Sequence, residues 1–295
     1  VRTGRRRLLA AALGAVSVSS AERVLATPGR FETISVSSAR LGRPLIASVW
    51  LPPGIDATAQ PLPVLYLLHG ARGNERSWPL AQRFWSTVEA GIEAGTWPPF
   101  IAICPGHFAG WWVDGPDGAM EQALIHDLIP AVEARYPVAR GRQGRAVAGI
   151  SAGGFGALRL SLRWPGLFGA ATLWAPAVYA DGPPERSAAR MDAPFRGPDG
   201  QFNLATWNSL NWPVLLPGYL AQPLRVPMFI ASGDHDPLNI ALEAARLFAS
   251  VWPNQPLSTE LRVVDGDHSD RVWEQTADAA LEFMFSRLKV ETAQR

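Results

Sequence analysis

The sequence predicts an α/β fold built on a mostly parallel, doubly wound sheet with helices on both faces. Three observations predict it. Short, nearly continuous apolar runs are bounded by turn residues. They alternate with longer segments of helical period. A serine flanked by glycines stands where one of these runs passes into a helix.

The elements follow in order. Phe31–Ser37 alternates apolar and polar residues and reads as a leading edge strand. Leu45–Leu51, Val64–Leu68, Phe100–Cys104, Ala146–Ile150, Ala170–Trp174, Val226–Ala231 and Glu260–Val264 read as the remaining strands. Helical patterns occupy Gln82–Ala94, Glu121–Arg135, Gly153–Arg163, Ile240–Val251 and Arg271–Leu288. Residues 180–223 break the alternation; rich in Pro, Gly and Trp, they are expected to form a lid or pocket wall. No repeat or second boundary is visible, so residues 27–295 are expected to be one domain. Sheets of this kind hold their sites outside the carboxyl ends of the strands.

Composition narrows the function classes. The chain is 47% hydrophobic and 18% charged, which suits a folded core rather than disorder. Residues 1–26 hold five Arg and one Glu, a charge of +4; the whole chain carries +1, which leaves −3 for the rest. A mildly acidic body argues against a nucleic-acid binder. No apolar run is long enough for a membrane span. The single cysteine, Cys104, excludes an internal disulfide framework and a cysteine-rich metal site. His107, Asp114 and His126 have no ligand spacing, so neither metal nor cofactor is expected.

The N-terminal 26 residues read as an export signal. Arg2 and Arg5–Arg7 are basic, Leu8–Val18 is apolar, and Val24-Leu25-Ala26 supplies small residues for cleavage. The pattern fits a Sec signal, and Arg5-Arg6-Arg7-Leu8-Leu9 also fits a twin-arginine signal. A periplasmic or secreted protein beginning near Thr27 is expected.

The sharpest motif is Gly149-Ile150-Ser151-Ala152-Gly153. A serine on a strained strand-to-helix turn needs small neighbours, and the helix N-terminus favours developing negative charge. Such a serine needs a base. Of five histidines, His268 lies after the last strand and before the last helix, where the order serine, acid, histidine puts it. His69 is expected to shape a loop. The acid should follow the strand Val226–Ala231, where Asp234 and Asp236 both stand; the other is expected to stay solvated or cap a helix. Two backbone N–H groups are needed for an oxyanion hole. Ala152 supplies one, and the loop Leu67–Gly73 the other, best at Ala71.

With these residues in place, the chain resembles the putative esterase family of α/β-hydrolases, which includes esterase D-like enzymes, feruloyl esterases and the antigen 85 mycolyltransferases. The resemblance runs over most of residues 30–290. It is carried by Tyr66-Leu67-Leu68-His69-Gly70, Gly110-Trp111-Trp112-Val113-Asp114, the extended elbow through Leu158, Gly233-Asp234-His235-Asp236 and Gly266-Asp267-His268. It implies an α/β-hydrolase fold, favours Asp236 as the acid and supports Ala71 as oxyanion donor. Ala71-Arg72 is similar to a Leu-Arg pair whose arginine contacts sugar in the mycolyltransferases. Arg72 is therefore expected at the substrate; Trp112 is expected there too, as are Trp207 and Trp212 from the lid or pocket-wall segment. Ala152 stands where many members carry Met, and Ser269–Val272 separate His268 from Trp273. Both departures touch the acyl pocket. The expected function is an exported serine esterase forming an acyl-enzyme on a small ester of the carbohydrate or lipid class. One alternative is transfer of the acyl group to a sugar hydroxyl. Another is a non-catalytic extracellular binding protein on the same fold.

Overall fold

The computed structural model describes residues 28–55, 60–106 and 111–289. The expected export signal, its cleavage point, His107 and Gly110 lie outside the described residues. Among the described residues there are ten strands: β1 (Arg30–Val36), β2 (Leu45–Leu51), β3 (Val64–Leu68), β4 (Ile101–Pro105), β5 (Asp114–Gly115), β6 (Gly118–Ala119), β7 (Arg145–Ile150), β8 (Ala170–Trp174), β9 (Met228–Gly233) and β10 (Thr259–Val264). The short β5 and β6 pair with each other; the other eight form one sheet in the order β1-β2-β4-β3-β7-β8-β9-β10. The β1–β2 and β2–β4 pairings are antiparallel. Every other pairing in that sheet is parallel.

Burial explains the apolar runs. All five residues of β3, β4 and β8 are buried, as strands covered on both faces must be. Alternation divides each strand between two cores. Val64, Tyr66 and Leu68 face one, and Leu65 and Leu67 face the other. The helices α1 (Gln82–Glu93) and α8 (Asp270–Phe285) cover the second core through Phe84, Val88, Val272 and Leu281. The first is covered by α4 (Ala152–Arg163) and α7 (Ile240–Val251) through Phe155, Leu158 and Leu247. In β1 only Ile34 is fully buried, as an edge strand requires.

Three elements differ from expectation. The helix over 121–135 is divided into α2 (Met120–Ala123), a π-helical turn (Leu124–Leu128) and α3 (Ile129–Arg135). Pro130 lacks the N–H that would bond the His126 carbonyl in an α-helix, so the ladder shifts there. Strand β9 starts two residues later than expected, because Pro227 cannot donate to a sheet. The segment 180–223 is not irregular throughout: it contains α5 (Leu204–Leu210) and α6 (Trp212–Leu220). Asn203 Oδ1 caps α5 by accepting the Thr206 N–H at 2.9 Å, and Asn211 Oδ1 accepts the Trp212 N–H at 2.8 Å at the start of α6. Helix α6 packs on α4. Among the described residues, no helix is long and apolar enough to cross a membrane.

Candidate active site

Ser151 sits between β7 and α4 with φ 56° and ψ −115°, a strained conformation for a residue with a side chain. Its backbone is over-determined. The Ser151 N–H donates to the Trp174 carbonyl at 2.9 Å, and its carbonyl accepts from Phe155 at 3.0 Å and Ala177 at 3.1 Å. The flanking glycines are required by contact. A β-carbon on Gly149 would lie 2.2 Å from the Gly153 carbonyl, and one on Gly153 would lie 2.2 Å from the Leu68 carbonyl oxygen.

The structure brings His268 and Asp236 to this serine. His268 Nε2 lies 2.9 Å from Ser151 Oγ, and His268 Nδ1 lies 2.6 Å from Asp236 Oδ2. A carboxylate can only accept, so Nδ1 carries the proton and Nε2 is left as acceptor for the serine hydroxyl. The Asp236 side chain is fully buried, and its other oxygen accepts the Leu238 N–H at 2.9 Å. The carboxylate therefore has a fixed direction.

Asp234 is turned elsewhere. Its Oδ1 accepts the Gly266 N–H at 3.1 Å, which holds the carboxyl below the usual carboxylate range with help from His235. It joins the loops that carry Asp236 and His268, and neither aspartate caps α7, which begins at Ile240 after Asn239 with no side-chain cap. A β-carbon on Gly233 would lie 2.3 Å from the Gly266 carbonyl oxygen, so only glycine lets these loops meet.

The loop after β3 lies against the serine: a β-carbon on Gly70 would be 3.5 Å from Ser151 Cβ. Ala71 follows, and Arg72 has φ 62°. Ala152 is the first residue of α4, where no intrahelical carbonyl can take its N–H. Beneath the loop, His69 is buried and held neutral, its pKa lowered by burial to about 4. Its Nδ1–H donates to the Gly70 carbonyl at 2.7 Å. Trp112 is buried, in left-handed conformation at φ 56°, and its indole N–H donates to the His69 carbonyl at 3.1 Å. Trp112 thus braces the loop from below. Gly156 of α4 clears the space, since a β-carbon there would meet Trp112 Cβ at 2.5 Å.

The other expected substrate tryptophans are also buried. Trp207 donates to the Tyr179 carbonyl at 3.1 Å, and Trp212 to the Val178 carbonyl at 2.8 Å. Both stitch the 180–223 segment to the chain after β8. Arg72 remains exposed. Opposite it, Asp192 accepts the Trp111 indole N–H at 2.5 Å; partial burial raises its pKa, against Trp111, Arg72 and Arg196.

A cavity of about 260 Å³ borders the site, walled by Gly70, Trp78, Leu80, Ile150 and Trp273. It shares Asp270 and Trp273 with an outer depression that reaches His268. None of these cavity residues was singled out as binding from the sequence, apart from the separation of Trp273 from His268. Among the described residues, one group could approach metal-ligand geometry: Asp234, His235 and Asp265, whose ligand atoms lie within 4.8 Å of one another. All three are exposed, and Asp265 is bound by Arg271 at 2.6 Å.

Comparisons with known proteins come from sequence and from structure. A family model described as "Putative esterase" matches residues 38–284. The endo-1,4-beta-xylanase/feruloyl esterase of Xylanibacter ruminicola is 30% identical over 150 residues, covering 48% of this chain and 21% of that protein. Esterase Rv1288 of Mycobacterium tuberculosis is 34% identical over 132 residues, covering 42% of this chain and 27% of that protein. The match therefore spans only about a quarter or less of these relatives. A solved ferulic acid esterase superposes with TM-score 0.73 at 21% identity, covering 89% of this chain and 99% of that one.

Proposed function

Since the chain belongs to the putative esterase family, with an α/β-hydrolase fold, we propose that it is a serine carboxylic-ester hydrolase working through an acyl-enzyme. The observation that carries the proposal is the line of contacts Ser151 Oγ–His268 Nε2–Asp236 at 2.9 and 2.6 Å.

The steps follow from that line. Ser151 Oγ attacks the ester carbonyl while His268 Nε2 takes its proton. Asp236, fixed by the Leu238 N–H, holds the imidazole and stabilises the imidazolium. The carbonyl oxygen becomes an oxyanion, met by the N–H groups of Ala152 and Ala71. His268 then gives its proton to the leaving alcohol, and the acyl group stays on Ser151. Water attacks the acyl-enzyme with His268 again as base, releasing the acid and restoring the serine. Trp112 and His69 support this chemistry by holding the Ala71 loop, not by touching substrate. Neither cofactor nor metal is needed.

The cavity walled by Trp78, Ile150 and Trp273 supports an apolar or aromatic acyl group, in keeping with relatives named feruloyl and ferulic acid esterases. Transfer to a sugar hydroxyl would need water kept from the acyl-enzyme. Trp207 and Trp212 are turned into the core, so nothing in their placement favours transfer. The pattern of residues 1–26 supports export. The test is release of p-nitrophenol from acyl esters by the wild type and Ser151→Ala, with and without a sugar acceptor. Acceptor-independent turnover, lowered roughly 10⁴-fold or more in a folded Ser151→Ala protein, is expected. Turnover retained by that variant, or product formed only with the sugar, would overturn the reading.

A further inference from the structure

From the end of α3 to the start of β7 the chain carries four arginines with no acidic residue among them: Arg135, Arg140, Arg142 and Arg145. The structure sorts them into two kinds. Arg135 pairs with Glu32 at 3.3 Å, and the buried Arg145 pairs with Glu133. Arg140 and Arg142 meet backbone carbonyls only: Arg140 that of Glu133 at 3.1 Å, Arg142 those of Pro165 at 2.9 Å and of Arg225. These two line a groove of about 730 Å³ together with Lys289, the sole lysine of the chain. Among the described residues none of the three cations meets a carboxylate, and no acidic side chain lines the groove.

We propose that this groove is a docking site for an anionic polysaccharide, separate from the serine site. Its position follows from the topology. The groove lies at the start of β7 and Ser151 just past its end. Six residues at about 3.3 Å each separate them by roughly 20 Å. A chain held here would anchor the protein without touching the reacting atoms.

The chemistry of the lining selects the ligand. Arginine presents a planar fork suited to carboxylate and phosphate oxygens, and a polyuronate supplies the carboxylates in series. The Arg142 guanidinium is already fixed by two carbonyls, so little freedom is lost when its remaining N–H groups bind. The volume exceeds what a single small anion fills, which suits several sugar units. Among the described residues no aromatic side chain lines the groove, so they offer no surface on which nucleic-acid bases would stack. None of the large exposed hydrophobic side chains lines it either, which leaves nothing to enter a bilayer. The remainder of the chain beyond residue 26 is net −3, so the cationic groove is a local feature and not a sample of the whole surface.

The experiment is affinity electrophoresis of the full chain in gels containing polygalacturonate, against neutral dextran gels. Arg140→Glu and Lys289→Glu are made singly and together, since both residues are exposed and neither pairs with a carboxylate among the described residues. Polygalacturonate should retard the wild type, and added salt should release it. The double variant should bind at least about tenfold more weakly, with its melting temperature and ester turnover unchanged. No retardation of the wild type at low salt would overturn the proposal, as would equal retardation of the double variant. Equal or tighter binding to single-stranded DNA or to phosphatidylglycerol vesicles would overturn it too, by assigning the charge to another partner or to none in particular.

Discussion

Asp234 Oδ1 accepts the backbone N–H of Gly266 at 3.1 Å, two residues before His268. Asp236, two residues later on the same loop, reaches His268 itself at 2.6 Å. One carboxylate fixes the loop that carries the imidazole; the other fixes the imidazole.

This division predicts different losses. Asp236→Asn should lower kcat by roughly 10⁴, because an amide facing Nδ1 favours the wrong tautomer. In Asp234→Asn the amide oxygen can still accept the Gly266 N–H, so kcat should stay near that of the wild type. Turnover of the two purified variants at neutral pH checks the assignment, and a dead Asp234→Asn enzyme beside an active Asp236→Asn enzyme would reverse it.

His69 predicts an acid-sensitive fold. Burial lowers its pKa from 6.5 to about 4. Between those values the unfolded chain binds a proton that the folded chain refuses. Stability from this group is whole above pH 6.5 and is lost as pH falls toward 4, by up to about 3 kcal/mol. Urea midpoints at pH 7.5 and 5 should fall further apart for the wild type than for His69→Gln. Equal pH dependence in the two proteins would remove His69 as the cause.

The elbow was legible in the sequence because one of its constraints is local: a β-carbon on Gly149 would strike Gly153 within the same turn, although Gly153 itself is required by the Leu68 carbonyl. The parallel strands were legible because burial on both faces leaves unbroken apolar runs. His69 was legible as a loop-shaping residue, but the brace that Trp112 gives the Ala71 loop was not. Trp112 lies 43 residues from His69, and it is recognised by a backbone carbonyl that leaves no mark on residue type. Trp212 was legible as aromatic but not as buried, since α6 carries no charged or amide side chain from Trp212 to Leu220 and so shows no period. The cavity of Trp78 and Trp273 joins residues far apart in the chain, and only the fold assembles it.

Glu121 predicts a stability effect on the helix that carries Ser151. It is buried and accepts from Arg159 at 2.9 Å, Arg163 at 3.1 Å and the Trp164 indole at 3.0 Å. Arg159 is buried as well, and burial lowers its pKa against the pull of Glu121. Glu121→Gln leaves that guanidinium without its counter-charge and should cost about 3–5 kcal/mol. Urea unfolding measures the loss. Because neither residue touches Ser151, the folded fraction should keep its kcat; a large fall in kcat with unchanged stability would show a different role.

Trp273 predicts which esters the site prefers. It lines the cavity together with Gly70, Ile150 and Trp78. An acyl group entering there leaves water and meets two indoles. Such an aromatic contact is worth about 0.5–1.5 kcal/mol beyond the area it buries, so its loss should lower kcat/KM roughly tenfold for aromatic acyl esters. An acetyl group carries no ring to stack on these indoles. Trp273→Ala should therefore leave acetyl ester turnover near wild type while weakening cinnamoyl ester turnover. The outer end of the same cavity is marked by Asp270, whose charge should oppose acyl chains that end in a carboxylate. Comparing kcat/KM for acetyl, cinnamoyl and succinyl esters of one alcohol separates these effects. If Trp273→Ala lowers acetyl and cinnamoyl turnover equally, the residue supports His268 and does not read the acyl group.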